Sequence, residues 1–162
     1  MERIDKSVEV HCPVRTAYNQ WTQFEDFPHF MAGVKEVRQI DDVHLHWRVE
    51  VNGRRHEWVA EITEQTPDKR ISWRSIQGVR NAGTVRFEAL EENRTLVHLT
   101  MAYVPEGPLE YIGDALGVTS MQVQESIDGF KAFIEARERE TGAWRGAIHD
   151  AQVTTGARDL KS

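Results

Sequence analysis

The sequence predicts an α+β fold: a curved antiparallel β-sheet of about seven strands wrapped around a long C-terminal α-helix, with two short helices after strand 1. Three observations carry this expectation. Apolar residues repeat with a period of two from Val34 to about Tyr103, the spacing of half-buried strands. Leu116, Val123, Ile127, Phe130 and Ile134 then recur at seven-residue and three-to-four-residue steps, which mark one face of a helix. Asn52-Gly53, between two alternating runs, is the strongest short hairpin signal, because both residues accept positive φ.

The first strand is read over residues 3–12, where Ile4, Val8, Val10 and Cys12 share one parity. Pro13 stands at a helix start, and Val14, Ala17, Tyr18 and Trp21 at helical spacing extend it over 13–22. Phe24, Phe27, Phe30 and Met31 around Pro28 form either a second short helix or an aromatic loop, closed by Gly33. The meander is punctuated at Asp41-Asp42, Asn52-Gly53, Thr66 to Lys69, Gly78 to Asn81 and Glu91 to Arg94, which gives six successive strands. After Pro105 and Pro108 the pattern turns helical. Gly113 and Gly117 break or bend its start, so the long helix is expected to begin near Val118 or Thr119. Lys131–Glu135 and Glu135–Arg139 are spaced for exposed ion pairs. Residues 1–145 are expected to form a single domain and 146–162 a flexible C-terminal tail.

The two-residue turn at Asn52-Gly53 sets a register: Val51 opposite Arg54, Val49 opposite His56, Trp47 opposite Trp58, and Leu45 opposite Ala60. The other face then pairs Glu50 with Arg55 and Arg48 with Glu57. One face gathers apolar residues and the other gathers opposite charges, an agreement the turn rule does not impose. A four-residue loop at Thr66–Lys69 pairs Ile62 with Trp73, Ala60 with Ser75 and Glu61 with Arg74. A loop of Glu92-Asn93-Arg94 aligns the apolar face of Val85, Phe87 and Ala89 with that of Val97, Leu99, Met101 and Tyr103.

Composition narrows the function. The chain has 162 residues, 40% hydrophobic and 28% charged, enough for one buried core. Its 26 acidic against 20 basic residues leave a net charge of −6, which opposes binding to a phosphate backbone, so nucleic acid is not an expected partner. No apolar run is long enough to span a membrane, and Met1 to Asp5 lack the apolar core of a secretory signal, so a cytoplasmic location is expected. Cys12 is the single cysteine, which rules out an internal disulfide and a cysteine-cluster zinc site. It is read as a buried structural thiol. Its neighbour His11 faces the opposite side of a strand, so the two do not form a nucleophile–base pair.

The inner face of the sheet gathers Trp47, Trp58, Trp73, Phe87, Met101 and Tyr103. Each can be plain core packed on the last helix. As a set, with three indoles on adjacent strands, they favour the wall of a ligand cavity. Ser75 shares that face. The Tyr103 hydroxyl and the indole N–H groups are suited to orient a polar head on a ligand. His56 has two readings, a hydrogen-bonded structural histidine near the hairpin end or an acid–base or ligand-contacting group. Phe27, Phe30 and Met31, with Phe24, either cap the sheet end or form a lid over the cavity mouth. His44-x-His46 lies on the outer, charged face without a forced third ligand, so no metal site is expected. No cofactor motif is present either.

The stretch Pro13-Val14-Arg15-Thr16-Ala17-Tyr18-Asn19-Gln20-Trp21-Thr22-Gln23-Phe24-Glu25-Asp26-Phe27-Pro28-His29-Phe30-Met31 resembles the first-helix signature of the polyketide cyclase/dehydrase and coenzyme-Q-binding branch of the START-like (SRPBCC) superfamily. Trp58 to Gln65, Gly83 to Glu88 and the proline-rich approach to the last helix are similar to the same branch. The resemblance covers roughly residues 3–142 and implies a helix-grip fold. It also implies a choice of functions, since members bind lipids, quinones, hormones or polyketides and some catalyse. The first expectation is a binding module for a hydrophobic small molecule, lipid-, quinone- or polyketide-like. The alternative is a polyketide cyclase or dehydratase using the same cavity, with His56 or Tyr103 moving protons. The third is an interaction domain with a filled core. Few polar residues share the inner face, which favours binding over catalysis.

Overall fold

A computed structural model describes residues 2–31, 33–51, 53–103 and 112–155. Strand β1 (Glu2–Val10) leads into helix α1 (Val14–Trp21) and a 3-10 helix (Phe24–His29). Six strands follow: β2 (Val34–Gln39), β3 (His44–Val51), β4 (Arg54–Thr66), β5 (Arg70–Gly78), β6 (Asn81–Glu91) and β7 (Arg94–Tyr103). Helix α2 (Ile112–Arg137) and the short strands β8 (Ala147–His149) and β9 (Gln152–Thr155) are the last of the described elements. The main path of the sheet runs β1-β7-β6-β5-β4-β3-β2, antiparallel throughout, so β1 and β2 stand at its two edges. This is the expected helix-grip architecture, with nine strands among the described residues rather than about seven.

Pro13 precedes the first turn of α1 in extended conformation (φ −62°, ψ 150°), where its missing N–H costs nothing. The helical spacing of Ala17, Tyr18 and Trp21 turns all three into the core. The aromatic stretch around Pro28 forms the second short helix of the two readings, as a 3-10 turn with Phe24 and Phe27 buried. In α2, Val123, Ile127, Phe130 and Ile134 are all buried against the sheet. Each such side chain contributes about 1.5–3 kcal/mol by leaving water. Gly129 lies between them and the 3-10 helix, and a Cβ there would overlap the Phe30 carbonyl oxygen. That close approach brings Phe30 onto α2, with its ring centroid 5.7 Å from Phe130 and 4.7 Å from Phe133.

The β3–β4 hairpin has the expected register at every pair from Val51–Arg54 to His44–Glu61. Asn52 itself lies outside the described residues. Between β4 and β5 the expected pairs Ile62–Trp73, Glu61–Arg74 and Ala60–Ser75 are present, but the turn is one residue shorter than read. Thr66 pairs directly with Arg70, and an extra residue at Thr63 restores the register before Ile62. Asp68 takes φ 63° to close this turn. At β6–β7 the expected three-residue loop is two residues long, because Arg94 joins β7 opposite Glu91 and Leu90 bulges. The ion pair of Arg94 with Glu91 at 3.2 Å holds it there. Val85 therefore faces Leu99 and Phe87 faces Val97.

Three further expectations change. Helix α2 begins at Ile112 and takes in Gly113 and Gly117, because glycine lowers helix propensity without forbidding helical φ and ψ. Glu135 bonds Lys131 at 2.7 Å as read, but its other contact is the His11 backbone N–H, also at 2.7 Å, rather than Arg139. The helix ends at Arg137, and Glu138 at φ 65° carries Arg139 off its surface. Finally, the stretch read as the start of a tail carries strands. Residues 147–155 form a hairpin whose first strand pairs with β4, His149 opposite Glu64 and Ile148 opposite Gln65. Ile148 is buried, which supplies the apolar anchor for this hairpin. Among the described residues, no helix is long and apolar enough to cross a membrane.

Candidate functional site

Strand parity sends Leu45, Trp47, Val49, Trp58, Ile62, Ile71 and Trp73 to the concave face of the sheet, beneath α2. The described residues line there a partly open cavity of about 150 Å³. Its floor is the three indoles with Leu99 and Met101 from β7. One side is closed by Trp21, Phe24, Phe27 and Met31, and the roof by Gln122, Val123 and Ser126 of α2. Trp47 and Trp58, directly opposite in the register, lie 5.7 Å apart with planes 11° from parallel. Phe27 tilts against Trp47 at 5.6 Å. Offset stacks and tilted contacts of this kind suit the ring quadrupoles and hold the wall in place.

Seven of the residues read as site candidates meet at this cavity: Trp47, Trp58, Trp73, Met101, Phe24, Phe27 and Met31. The others stand elsewhere. Phe87 packs in the core, edge-on to Tyr18 at 5.5 Å and to Trp21 at 6.1 Å, because its partner Val97 lies one strand pair beyond the cavity floor. Phe30 turns away onto α2. Ser75 accepts the Asn81 backbone N–H at 3.0 Å and so secures the β5–β6 turn. His56 has the inward parity but sits two pairs beyond Trp58, toward the hairpin end and off the cavity wall. Tyr103 ends β7, and its side chain lies outside the described residues.

Polar groups in the wall are few. Ser126 donates its hydroxyl to the Gln122 carbonyl at 2.8 Å, and the Gln122 amide donates to the Glu50 carbonyl at 3.0 Å, which ties α2 to β3. Sequence reading missed both residues. Their signal was present, since Gln122 and Ser126 flank the apolar stripe at Val123 and Ile127 on the same helix face. The indole N–H groups of Trp47 and Trp58 are buried with no hydrogen-bond partner among the described residues. A buried donor left in this way costs about 1–3 kcal/mol.

The titratable groups nearby are structural. Burial pushes the Cys12 thiol up to about 11, helped by the carboxylates of Glu135 and Glu140, so it is not a nucleophile at neutral pH. Burial likewise pushes the Tyr18 hydroxyl up to about 12 while it accepts a bond from Gln65 at 3.0 Å. The Arg145 guanidinium lies 5.5 Å over the Tyr18 ring and bonds Asp68 at 2.8 Å and Asn19 at 2.6 Å.

On the outer face His44 bonds Asp41 at 2.9 Å and approaches Glu61 at 3.9 Å, and His46 faces Glu57 at 3.8 Å. Glu64, His149 and Asp150 bring their ligand atoms within 4.8 Å of one another. There the two imidazole nitrogens serve different carboxylates, Nδ1 to Glu64 at 3.0 Å and Nε2 to Asp150 at 3.3 Å. The Glu64 contact clamps the β8–β9 hairpin onto β4, and the Asp150 contact stays within the hairpin's own turn.

An uncharacterized 17.2 kDa protein in the melC2-rnhH intergenic region of Streptomyces lincolnensis is 47% identical over 149 residues, covering 91% of this chain and 99% of that one. A START superfamily protein from Mycobacterium smegmatis shares the fold at a TM-score of 0.69 and 16% identity, over 82% of this chain and 98% of that chain. The Zhui aromatase/cyclase from Streptomyces sp. R1128 does so at a TM-score of 0.73 and 15% identity, over 88% and 98%. The polyketide cyclase/dehydrase and lipid transport family matches residues 10–127, which run from the end of β1 through the cavity-facing part of α2. The chain belongs to the polyketide cyclase/dehydrase and lipid transport family.

Proposed function

We propose that this protein binds a hydrophobic small molecule, lipid-, quinone- or polyketide-like, between the sheet and α2. The observation that carries this reading is the 150 Å³ cavity walled almost wholly by aromatic and aliphatic side chains. A tightly packed core leaves few voids larger than one water, and a concave, mostly apolar hollow with a few polar groups has the character of a ligand site. Binding would be driven by apolar burial at about 25 cal/mol per Å². The unpartnered N–H groups of Trp47 and Trp58 would gain an acceptor from a carbonyl or hydroxyl oxygen on the ligand. The same cavity offers little to catalysis. No ionisable side chain lines it among the described residues, and Cys12 is held as a neutral thiol outside it.

Native mass spectrometry of the protein purified from its own host tests this reading. A co-purifying apolar compound is expected, and it should be lost in Val123→Arg, which places a long charged side chain in the roof. Wild-type protein without any adduct, and without saturable binding of any apolar compound in a broad panel, would sink the proposal.

A further inference from the structure

Gly83 lies on the concave face of β6 between its two cross-strand neighbours, Trp73 on β5 and Met101 on β7, both of which line the cavity. The Trp73 indole rests directly on it. A Cβ at Gly83 would run into Cζ2 of that indole and stand 2.7 Å from Cη2 and 2.8 Å from Cε2, well inside the roughly 3.5–4.0 Å of ordinary carbon contact. The backbone of β6 blocks any retreat, so a side chain at Gly83 would lift the indole toward α2 and into the cavity. The missing side chain therefore accounts for part of the hollow.

The volume says what such a hollow holds. An apolar cavity of about 150 Å³ in another protein stays dry and accepts benzene. The cavity here has about the same volume, and its floor carries the near-parallel Trp47 and Trp58 rings. A flat ring can lie against such a floor, whereas a long chain would leave most of its carbons outside.

We propose that the cavity receives a single aromatic or quinoid ring rather than an extended chain, and that Gly83 sets this size limit by letting Trp73 lie back against the sheet. The inference rests on the hydrophobic-ligand reading above and narrows it. Gly83 is a positioning residue in this account, acting through Trp73.

Calorimetric titration of the full chain with toluene, with anthracene and with alkanoates of six to sixteen carbons tests it. Toluene should bind saturably at one site and anthracene should not. Each methylene that is buried raises affinity about fourfold, so alkanoate affinity should stop rising after the shortest members. Gly83→Ala should weaken toluene about tenfold or more, as overpacking does. Adding Trp73→Phe to Gly83→Ala should restore toluene binding, a rescue that a purely structural glycine would not show. Affinity climbing steadily to sixteen carbons would overturn the ring limit while leaving the hydrophobic-ligand reading intact. Unchanged toluene binding in a folded Gly83→Ala variant would overturn the role of Gly83. Absence of binding by every probe would remove both readings together.

Discussion

Cys12 is 5% exposed, lies two residues past the end of β1, and has its carbonyl bonded by the Thr95 hydroxyl at 2.8 Å. With its thiol pushed up to about 11, it should resist a thiol reagent at pH 8 in the native state and react fully once urea unfolds the chain. Fast labelling of native protein would contradict this. Phe130 is fully buried between Trp21 at 4.9 Å and Phe30 at 5.7 Å. Truncating Phe130→Ala should cost about 3–5 kcal/mol, read from the urea midpoint at unchanged slope. At this scale the three tryptophans were legible because strand parity alone decides which face a side chain takes. His56 was harder to place. Its parity is inward, yet parity does not say how far along a strand the roof of the cavity extends. Gln122 and Ser126 are not legible in the sequence as cavity residues, because a polar residue beside an apolar stripe looks like its boundary.

Turn chemistry explains which strand pairings could be read in advance. Asn52-Gly53 demands a two-residue hairpin, and the whole β3–β4 register follows from it. The bulges at Thr63 and Leu90 carry no glycine or proline to announce them, so sequence alone predicts neighbouring loops one residue too long. The β8–β9 hairpin was hidden for the same reason. Its turn places Asp150 at φ 51° and Ala151 at φ 62°, a conformation that a sequence normally advertises with Asn-Gly. The bonds from His149 to Glu64 and Asp150 make this element pH-sensitive. The Glu64 contact, followed by the Asp150 charge, raises the His149 pKa above its ordinary 6.5, so its contribution is complete below pH 6.5 and fades as pH rises through the raised value. The His149 contact lowers the Glu64 carboxyl below 4.5, so its contribution is complete above pH 4.5 and fades in acid. Protection of the β8 and β9 amides against hydrogen exchange, corrected for intrinsic rates, should therefore peak between about pH 4.5 and 6.5. His149→Gln should flatten the alkaline side of that profile. Arg145→Ala, which removes the donor to the Asp68 carboxylate and to the Asn19 side-chain oxygen, should destabilise the same region by about 1–3 kcal/mol.

Across the whole molecule, the segment after α2 returns over α1 and fastens to the sheet. Gln20 exchanges two bonds with Thr141, through its backbone N–H at 2.8 Å and its hydroxyl at 3.1 Å, and Thr22 accepts the Trp144 N–H at 3.1 Å. Strand β4 runs 13 residues, longer than β3, so its last part passes beyond its neighbour's end. That part is where β8 docks, and the bulged Thr63 carbonyl takes the Ala151 N–H at 3.1 Å. Without β8 the overhang would present bare main-chain donors and acceptors, a template on which a second molecule could add a strand. By pairing with that overhang, the β8–β9 hairpin covers an edge of the kind that invites fibril growth and precipitation. A chain stopped after Thr141 should lose solubility on warming well before it loses its helical circular-dichroism signal, whereas simultaneous loss of both would point to ordinary unfolding.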